Sequence, residues 1–285
     1  MSRKTLNTPT TRTGPKKTKC SSGPSAVHWQ KNTVTHCSMN VQGKKIIRIV
    51  IIGNSVAMRN RPPLPAPDNG NYGQYLEEYL NARCQDKTCL VTNTAFSRAT
   101  VSDIDLEANN IIQSFPDYYV INLGVVDASA REVPFWFARI LDGKSPALFR
   151  SLFRGIHHHI FKKHRRFFVK LRGKTPWIKP RKFKREYART LARLKKETNA
   201  HIITLPVNKG NQRIENELPG SMKNYEKYSR IIKEVTENQN AVFIPLDDLN
   251  SEEHYPDGIH FSKKGHMAVA LKLAGTISNL IKYTG

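Results

Sequence analysis

A serine near the start of the folded part of the chain and an Asp/His pair near its end have the residue types of a nucleophilic catalytic site. Ser55 ends the Gly-Asn-Ser sequence that follows the first apolar run, and Asp257 and His260 lie close to the chain end. A serine hydroxyl is a weak nucleophile at neutral pH, so chemistry at Ser55 needs a base and a group that orients that base. His260 is the candidate base and Asp257 the candidate orienting group. Their spacing, with Gly258 between them, favours a loop that turns both side chains toward one point.

The segment before Ser55 has the composition of a buried central strand. Residues 46–52 read Ile-Ile-Arg-Ile-Val-Ile-Ile, a β-branched run of strand length, and the Gly-Asn-Ser that follows is typical of a turn. In open α/β sheets, ligands bind beyond the carboxyl ends of the strands. Ser55 therefore stands where a nucleophile is exposed. The alternative is that Ser55 only caps the helix or loop that follows.

Apolar segments further along the chain alternate between strand and helix patterns. Strands are predicted at residues 89–93, 118–123, 201–205 and 241–246, and helices at residues 72–83, 101–113, 181–197, 222–236 and 263–281. This alternation predicts a mainly parallel sheet covered by helices on both sides, in a single α/β core. Residues 1–43 are rich in Thr, Ser, Pro and Lys without apolar periodicity, so we expect a basic, disordered tail before a folded domain at residues 44–285.

Four blocks, in order along the chain, resemble the motifs of the SGNH (GDSL-type) hydrolase superfamily. The first is Gly-Asn-Ser at residues 53–55, usually Gly-Asp-Ser, and the last is Asp-x-x-His at residues 257–260, which matches fully. Residues 93–100 resemble the second block, and residues 124–127 resemble the third. The resemblance covers about residues 46–282. It implies a three-layer α/β/α, flavodoxin-like fold with a mainly parallel five-stranded sheet, and a serine esterase that needs no metal or organic cofactor.

Two departures from the family pattern affect the oxyanion hole. The family stabilises the oxyanion with the serine N–H, the N–H of a second-block glycine and the side chain of a third-block asparagine. Here Arg98 stands at the glycine position, and Val126 at the asparagine position has no donor. Loss of one such donor removes about 2.7–4 kcal/mol of transition-state stabilisation. The resemblance thus implies a hole formed by the N–H groups of Ser55 and Arg98. The Arg98 guanidinium either lies over the pocket, where it binds a carboxylate or phosphate, or points to solvent.

Three further residues are candidates for substrate binding: Asn54, Asp127 and Arg131. For Asp127 the favoured role is a hydrogen bond to neighbouring loops, and the alternative is a contact with substrate. A narrower likeness, at residues 122–131 and 218–228, is to uncharacterised SGNH proteins associated with bacterial surface-polysaccharide gene clusters. It implies acyl esters of a carbohydrate as substrate. Hydrolysis and O-acyl transfer share the acyl-enzyme and remain alternatives.

Positive charge is concentrated in two segments. The formal net charge is +23; residues 1–45 hold nine Lys/Arg and no acid, and residues 145–200 hold eighteen Lys/Arg against two Glu. Such segments attract polyanions such as nucleic acid, anionic lipid surfaces or acidic polysaccharide, unless they form only a solvated face and a tail. The second segment lies in an insertion at about residues 128–199, which interrupts the sheet pattern and suits a lid. A rival function is therefore a non-catalytic polyanion-binding protein on a degenerate hydrolase scaffold, favoured by Val126 and Arg98.

Further patterns concern the cellular location of the protein and a possible metal site. No run approaches the ~18–20 apolar residues of a membrane span. Basic residues at the amino terminus have no apolar segment behind them, which argues against a secretory signal peptide. The four cysteines lack a zinc-type spacing, so a reduced, cytoplasmic protein is expected. Three consecutive histidines at residues 157–159 are the one hint of metal, but neighbours in sequence rarely share a site, and no metal site is predicted.

Overall fold

A single parallel sheet forms the centre of the protein. The computed structural model describes residues 43–60, 70–141 and 146–284. The sheet order is β2-β1-β3-β4-β5, and every pair is parallel. The strands are β1 (Lys45–Gly53), β2 (Lys87–Asn93), β3 (Tyr118–Asn122), β4 (His201–Thr204) and β5 (Val242–Phe243). The strand order reverses beside β1, so the chain that leaves β1 enters the crevice in which open α/β sheets bind ligands.

Two groups of helices cover the sheet, as the alternating pattern predicts. Helix α1 (Tyr72–Arg83) packs against α11 (Lys263–Thr284), whereas α2 (Val101–Ile112), α7 (Pro180–Glu197) and α9 (Ser221–Asn238) pack side by side. Right-handed crossovers place these two groups on opposite faces of a sheet with this strand order. The predicted three-layer α/β/α fold is therefore confirmed. Short helices complete the domain: α3 (Val125–Ala128), α4 (Phe135–Arg139), α8 (Gln212–Glu217) and α10 (Ser251–His254).

The predicted strands and helices are present, with one shorter than expected. Strand β5 comprises only Val242–Phe243, whereas residues 241–246 were predicted. Ile244 N–H still donates to Thr204 O at 3.1 Å, but Pro245 has no N–H and cannot extend the ladder. At the other extreme β3 is buried throughout, because helices cover both of its faces.

Residues 129–179 form an inserted segment between α3 and α7. It contains α4, α5 (Ala147–Ile156), a π-helix (His157–Lys162) and α6 (Arg165–Leu171). A small apolar cluster supports the segment, with Val133, Phe137 and Leu141 at its centre and Phe153 and Phe161 packed against them. The predicted tail at residues 1–43 lies outside the described residues except for Gly43. Within the described ranges, no helix combines the length and apolar composition that a membrane crossing requires.

The insertion predicted at residues 128–199 ends earlier than expected, because α7 is one of the helices that cover the sheet. Its apolar stripe of Phe183, Tyr187, Leu191 and Leu194 is fully buried against the core. Most of its basic side chains lie off this stripe and are exposed, and several of them pair with acidic residues of neighbouring elements. Lys184 Nζ is 2.5 Å from Glu234 Oε1, and Arg189 is 2.8 Å from Asp105 Oδ2. The α7 cations are therefore partly neutralised within the protein.

Candidate active site

Ser55, His260 and Asp257 lie in one hydrogen-bonded chain. Ser55 Oγ is 3.0 Å from His260 Nε2, and His260 Nδ1 is 2.7 Å from Asp257 Oδ2. An ionised carboxylate can only accept a hydrogen bond, so the ring proton lies on Nδ1 and Nε2 is left to accept from the serine hydroxyl. This is the tautomer that a general base requires. The predicted contact between the serine and histidine side chains is present.

The loop before α11 holds Asp257 in one orientation. Asp257 Oδ1 accepts from the backbone N–H groups of Ile259 at 2.9 Å and His260 at 2.7 Å, which leaves Oδ2 for the imidazole. Burial alone raises the pKa of Asp257, but the hydrogen bonds and charge of His260, with the Ile259 N–H, hold that pKa below its usual value. The carboxylate therefore stays ionised while it orients the ring.

Gly258 allows this loop to close. Its φ is +79°, in the left-handed region that side-chain-bearing residues rarely adopt. A Cβ added there would lie 2.5 Å from Asn211 Oδ1 and 2.7 Å from Ile214 Cβ. Backbone conformation and lack of space both require glycine between the acid and the histidine.

The turn that follows β1 positions Ser55. Ser55–Ala57 form one turn of 3₁₀ helix, and Asn54 Oδ1 accepts from Val56 N–H at 3.1 Å. Asn93 Nδ2 donates to Ala57 O at 2.7 Å and ties the turn to the end of β2. Asn54 is fully buried and does not line the cleft. The Asn54 side chain caps the turn, which is the role that the sequence left open for Ser55. The position of Asn54 does not support the predicted contact with substrate.

Arg98 replaces a glycine and keeps a glycine-like backbone. Its φ is +62°, in the left-handed region. The Phe96 N–H donates to Gly53 O at 3.3 Å, which holds this loop beside the end of β1. Arg98 lines the cleft together with Ser55 and also borders an adjoining cavity. Of the two orientations considered for its side chain, the one toward the pocket agrees with this position. Val126 lines the cleft as well and is buried.

The inserted segment forms the far wall of the cleft, whose volume is about 270 Å³. Arg131 lines it, in agreement with the prediction, and its guanidinium lies 4.6 Å from the ring centroid of Trp177. Glu132, His157 and Arg165 also line it, and sequence reasoning did not assign them to the site. Glu132 Oε1 is 3.1 Å from His157 Nε2 and 3.4 Å from Arg165 Nε. The histidine triplet was the one local signal, and His157 pairs with a carboxylate.

Asp127 does not reach the cleft. It is fully buried, and its Oδ1 accepts from Val101 N–H at 3.0 Å, so it connects α3 to the first turn of α2. Burial raises the pKa of Asp127 to about 7, against the lowering effect of that hydrogen bond. Of the two roles considered for Asp127, the geometry supports the hydrogen bond to a neighbouring segment over a contact with substrate.

Solved structures of esterases and acylhydrolases share this fold. A catalytic mutant of Axe2, an acetylxylan esterase from Geobacillus stearothermophilus, matches with a TM-score of 0.53 and 18% identity, over 80% of this chain and 92% of that chain. The lipase/acylhydrolase from Enterococcus faecalis matches with a TM-score of 0.56 and 16% identity, over 82% and 96%. LAE5, an α/β hydrolase from the metagenome of Lake Arreo in Spain, matches with a TM-score of 0.53 and 18% identity, over 80% and 94%.

The family is established by the sequence and not by these structural likenesses. No curated protein matches the chain significantly. The model of the GDSL-like lipase/acylhydrolase family, however, matches residues 51–268, a span that contains the serine turn, both departures in the oxyanion region and the Asp/His loop. The chain is therefore an ester-hydrolysing enzyme of the SGNH type and belongs to the GDSL-like lipase/acylhydrolase family.

Proposed function

We propose that Ser55, His260 and Asp257 cleave an acyl ester through a covalent acyl-enzyme. The continuous hydrogen-bond chain from Ser55 Oγ to the Asp257 carboxylate carries this proposal. Ser55 Oγ attacks the acyl carbon while His260 Nε2 takes its proton, and His260 returns the proton to the leaving alcohol as the ester C–O bond breaks. Asp257 orients the ring and stabilises the imidazolium. Water activated by His260 then releases the acid.

The oxyanion of the tetrahedral intermediate is proposed to accept hydrogen bonds from the backbone N–H groups of Ser55 and Arg98. Both residues line the cleft, and the left-handed backbone of Arg98 preserves the conformation of the glycine it replaces. Val126 contributes no third donor. Because one donor is worth about 2.7–4 kcal/mol, turnover of small acyl esters should be present but slow.

We infer that the ester is an O-acyl group on a carbohydrate. The likeness to proteins of polysaccharide gene clusters supports this, as does the fold shared with an acetylxylan esterase. Structures of catalytic mutants of that esterase replace a serine, an aspartate and a histidine, the last two three residues apart as in Asp257-x-x-His260. Trp177 offers the cleft an aromatic face. A sugar hydroxyl in place of water would make the same acyl-enzyme an O-acyltransferase.

Covalent labelling tests the proposal most directly. A fluorophosphonate probe should label the wild-type protein at Ser55, as located by peptide mass spectrometry, and should not label Ser55→Ala. Release of acetate from acetylated xylooligosaccharides, with and without an unacetylated acceptor sugar, separates hydrolysis from transfer. A folded wild-type protein that neither reacts with the probe nor cleaves any acyl ester would refute the assignment of the nucleophile.

We propose, second, that the basic surface of the inserted segment binds a polyanion. Four cations in the π-helix, in α6 and in the turn between them form no ion pair within the described part of the chain: Lys162, Lys163, Arg166 and Lys170. Four of the eight α7 cations, Lys182, Lys184, Arg189 and Arg193, pair with acidic residues, so the structure favours the π-helix and α6 over α7 as the attracting surface. Binding to such a surface weakens as salt rises. A salt titration of binding to RNA, DNA and an acidic polysaccharide tests this, and the intact Ser55–His260–Asp257 chain opposes a purely non-catalytic role.

The cytoplasmic location stays a prediction. Cys84 and Cys89 are both free thiols, and the other two cysteines lie outside the described residues. We propose that the thiols remain reduced where the protein acts. Lysis of cells directly into denaturant that contains an alkylating reagent, followed by mass spectrometry, should find Cys84 and Cys89 alkylated, and a disulfide would contradict the proposal.

A further inference from the structure

The active-site cleft opens into a second, wider cavity of about 670 Å³. We call this cavity the vestibule. Four residues border both spaces: Arg98, Leu141, His157 and Arg165. Three more residues, all from α5 and the π-helix, line only the vestibule: Arg154, His158 and Lys162. A molecule whose ester group lies beside Ser55 can therefore extend into a space with strongly basic walls.

Positive charge along this route greatly exceeds negative charge. The cleft and vestibule together are lined by five Lys/Arg side chains, namely Arg98, Arg131, Arg154, Lys162 and Arg165. Among the lining residues that the structure describes, Glu132 is the only carboxylate, and it already pairs with Arg165 and His157. Burial opposes ionisation of Glu132, but Arg165 and further contacts lower its pKa overall, so it remains charged. One acid is thus shared among several cations.

Arg131 is a cation whose charge is only partly compensated within the protein. Its guanidinium lies over Trp177, and its buried Nε has no hydrogen-bond partner in the described part of the chain. Burial, and secondarily the nearby Arg165 and Arg98, lower its pKa, against the opposing effect of Tyr225 and Glu132. A buried charge is costly unless an opposite charge accompanies it. An anion in the cleft would supply that charge.

We infer that the substrate of this enzyme is an acyl ester whose alcohol part carries an anionic group, a carboxylate or a phosphate, bound by the arginine-lined cleft and vestibule. The inference rests on the proposed function of Ser55. The alcohol part is assigned to the vestibule because that cavity is more than twice as large as the cleft that holds the serine. Arginine suits this task because its planar guanidinium binds either anion through two parallel hydrogen bonds.

A matched pair of esters tests the inference. The anion 4-acetoxy-3-nitrobenzoate and its methyl ester carry the same acetyl group on the same nitrophenol and differ in one negative charge. After correction for their spontaneous hydrolysis, kcat/KM should be at least about tenfold higher for the anion. In the variant Arg154→Gln/Lys162→Gln this ratio should fall by about tenfold. The control variant Lys196→Gln/Lys227→Gln removes two exposed charges on α7 and α9, away from both cavities, and should keep the wild-type ratio.

The outcomes separate this inference from the proposed function. Cleavage of both esters with equal efficiency, or an anion preference that survives Arg154→Gln/Lys162→Gln, would overturn the inference and leave the esterase intact. If neither ester is cleaved, the fluorophosphonate probe decides the proposed function, and calorimetry of 4-hydroxy-3-nitrobenzoate with Ser55→Ala decides the inference. The inference is supported if 4-hydroxy-3-nitrobenzoate binds to Ser55→Ala and binds more weakly when Arg154→Gln/Lys162→Gln is added. Absence of binding overturns the inference. Competition by inorganic phosphate and by citrate then shows which anion is preferred.

A separate observation concerns the outer surface of the inserted segment. Helix α5 has no buried residue, although half of its residues are large and apolar. Leu148 is 85% exposed, Phe149 60% and Leu152 58%. No Asp or Glu occurs anywhere between residues 143 and 185. A short helix with exposed apolar side chains and cations but no acid has the composition of elements that lie in a membrane–water interface.

We propose that α5 docks on an anionic lipid surface. The apolar side chains would enter the interface, while Arg150 on the same helix, and Lys163, Arg166 and Lys170 nearby, face lipid phosphates. Charge complementarity selects this partner: a second copy of the chain would bring another basic surface to a basic surface. The vestibule lies beside this helix, because Arg154 and Lys162 line it.

Vesicle sedimentation tests the docking. The wild-type protein should bind mixed phosphatidylcholine/phosphatidylglycerol vesicles and not phosphatidylcholine alone. The variant Leu148→Ser/Phe149→Ser/Leu152→Ser should bind at least about tenfold more weakly. The control Leu106→Ser/Leu271→Ser alters exposed leucines of α2 and α11 and should bind like the wild type. The proposal is overturned if the α5 variant binds vesicles as well as the wild type does. It is also overturned if neither protein binds vesicles but both bind RNA equally well. A third contrary result would be a wild-type dimer in sedimentation equilibrium that the α5 substitutions dissociate.

Discussion

The two walls of the cleft are built in different ways. The serine wall consists of the β1 turn and the loop before α11, in which Asn54, Gly258 and the Asp257 carboxylate are fixed by burial or by several hydrogen bonds. The opposite wall is the inserted segment. It rests on a small apolar cluster, exposes most of α5 and carries many cations.

This difference separates chemistry from recognition. The sheet end holds the proposed nucleophile, base and orienting acid in one geometry, as bond making requires. The inserted segment contributes charge, an aromatic face and an open cavity, which suit the selection of a substrate. Substitutions in the first wall should therefore act on turnover and stability, whereas those in the second should act on substrate preference and surface binding.

Loss of the orienting acid should have the largest effect. Asp257→Asn keeps the size of the side chain but no longer fixes the His260 tautomer that accepts from Ser55. We expect kcat on a small acyl ester to fall by about 10⁴-fold with little loss of folding stability. Asp247→Asn, on the surface ten residues earlier, is the matched control and should retain activity. Comparable activity of Asp257→Asn and wild type would remove Asp257 from the mechanism.

The pH dependence of stability should reveal Asp127. Its pKa is about 7 in the folded protein and has the ordinary aspartate value of 3.8 in the unfolded chain. Between these values the folded protein retains the proton and the unfolded chain does not, so this group makes stability fall as pH rises from about 4 to about 7. Relative to Asp127→Asn, the wild type should lose about 2–3 kcal/mol of unfolding free energy between about pH 5 and about pH 8.

The comparison with Asp127→Asn is needed because His266 acts in the opposite direction. Burial lowers the pKa of His266 to about 4, below its ordinary 6.5, so its contribution to stability is lost as pH falls through this window. Both proteins contain His266, and its effect cancels in their difference. Urea unfolding across the pH range measures this, and a constant difference would show that Asp127 is ionised in the folded protein throughout.

Two glycines should show how differently the walls respond to a methyl group. Gly258→Ala places a Cβ against Asn211 and Ile214 at positive φ and should cost about 2–4 kcal/mol of unfolding free energy, with a loss of activity. Gly155→Ala lies within α5 with nothing within 4 Å and should stabilise the helix by about 0.5–1 kcal/mol. Denaturant unfolding of both variants decides this, and equal effects would contradict the contrast between the walls.

An added donor should produce the smallest effect. Val126→Asn restores the amide that the family pattern has at this position and should raise kcat on a small acyl ester by about tenfold. Val125→Asn, one residue earlier, is the control and should not raise it. If Val126→Asn folds normally and gains no rate, another group already serves as the third donor.

Local sequence patterns were sufficient for the elements and for the order of the motifs. The β-branched run before Ser55 predicted β1, alternation of strand and helix patterns predicted a parallel three-layer fold, and Gly258 predicted a loop between acid and histidine. These features depend on neighbours within a few residues, because hydrophobic periodicity and turn chemistry are local. Strand β5 was overestimated only where Pro245 ends the ladder.

Tertiary structure decided which polar side chains face the cleft. Asn54 and Asp127 belong to the motif blocks, but both are buried and hold neighbouring backbone. Glu132, His157 and Trp177 carry no motif, yet they line the same wall of the cleft as Arg131. The sequence by itself determined the strands, the helices and the presence of a serine, a histidine and an acid in family order. Only the packing of distant segments decided the partners, because an ion pair such as Arg189–Asp105 joins residues 84 positions apart and leaves no periodic trace in the chain.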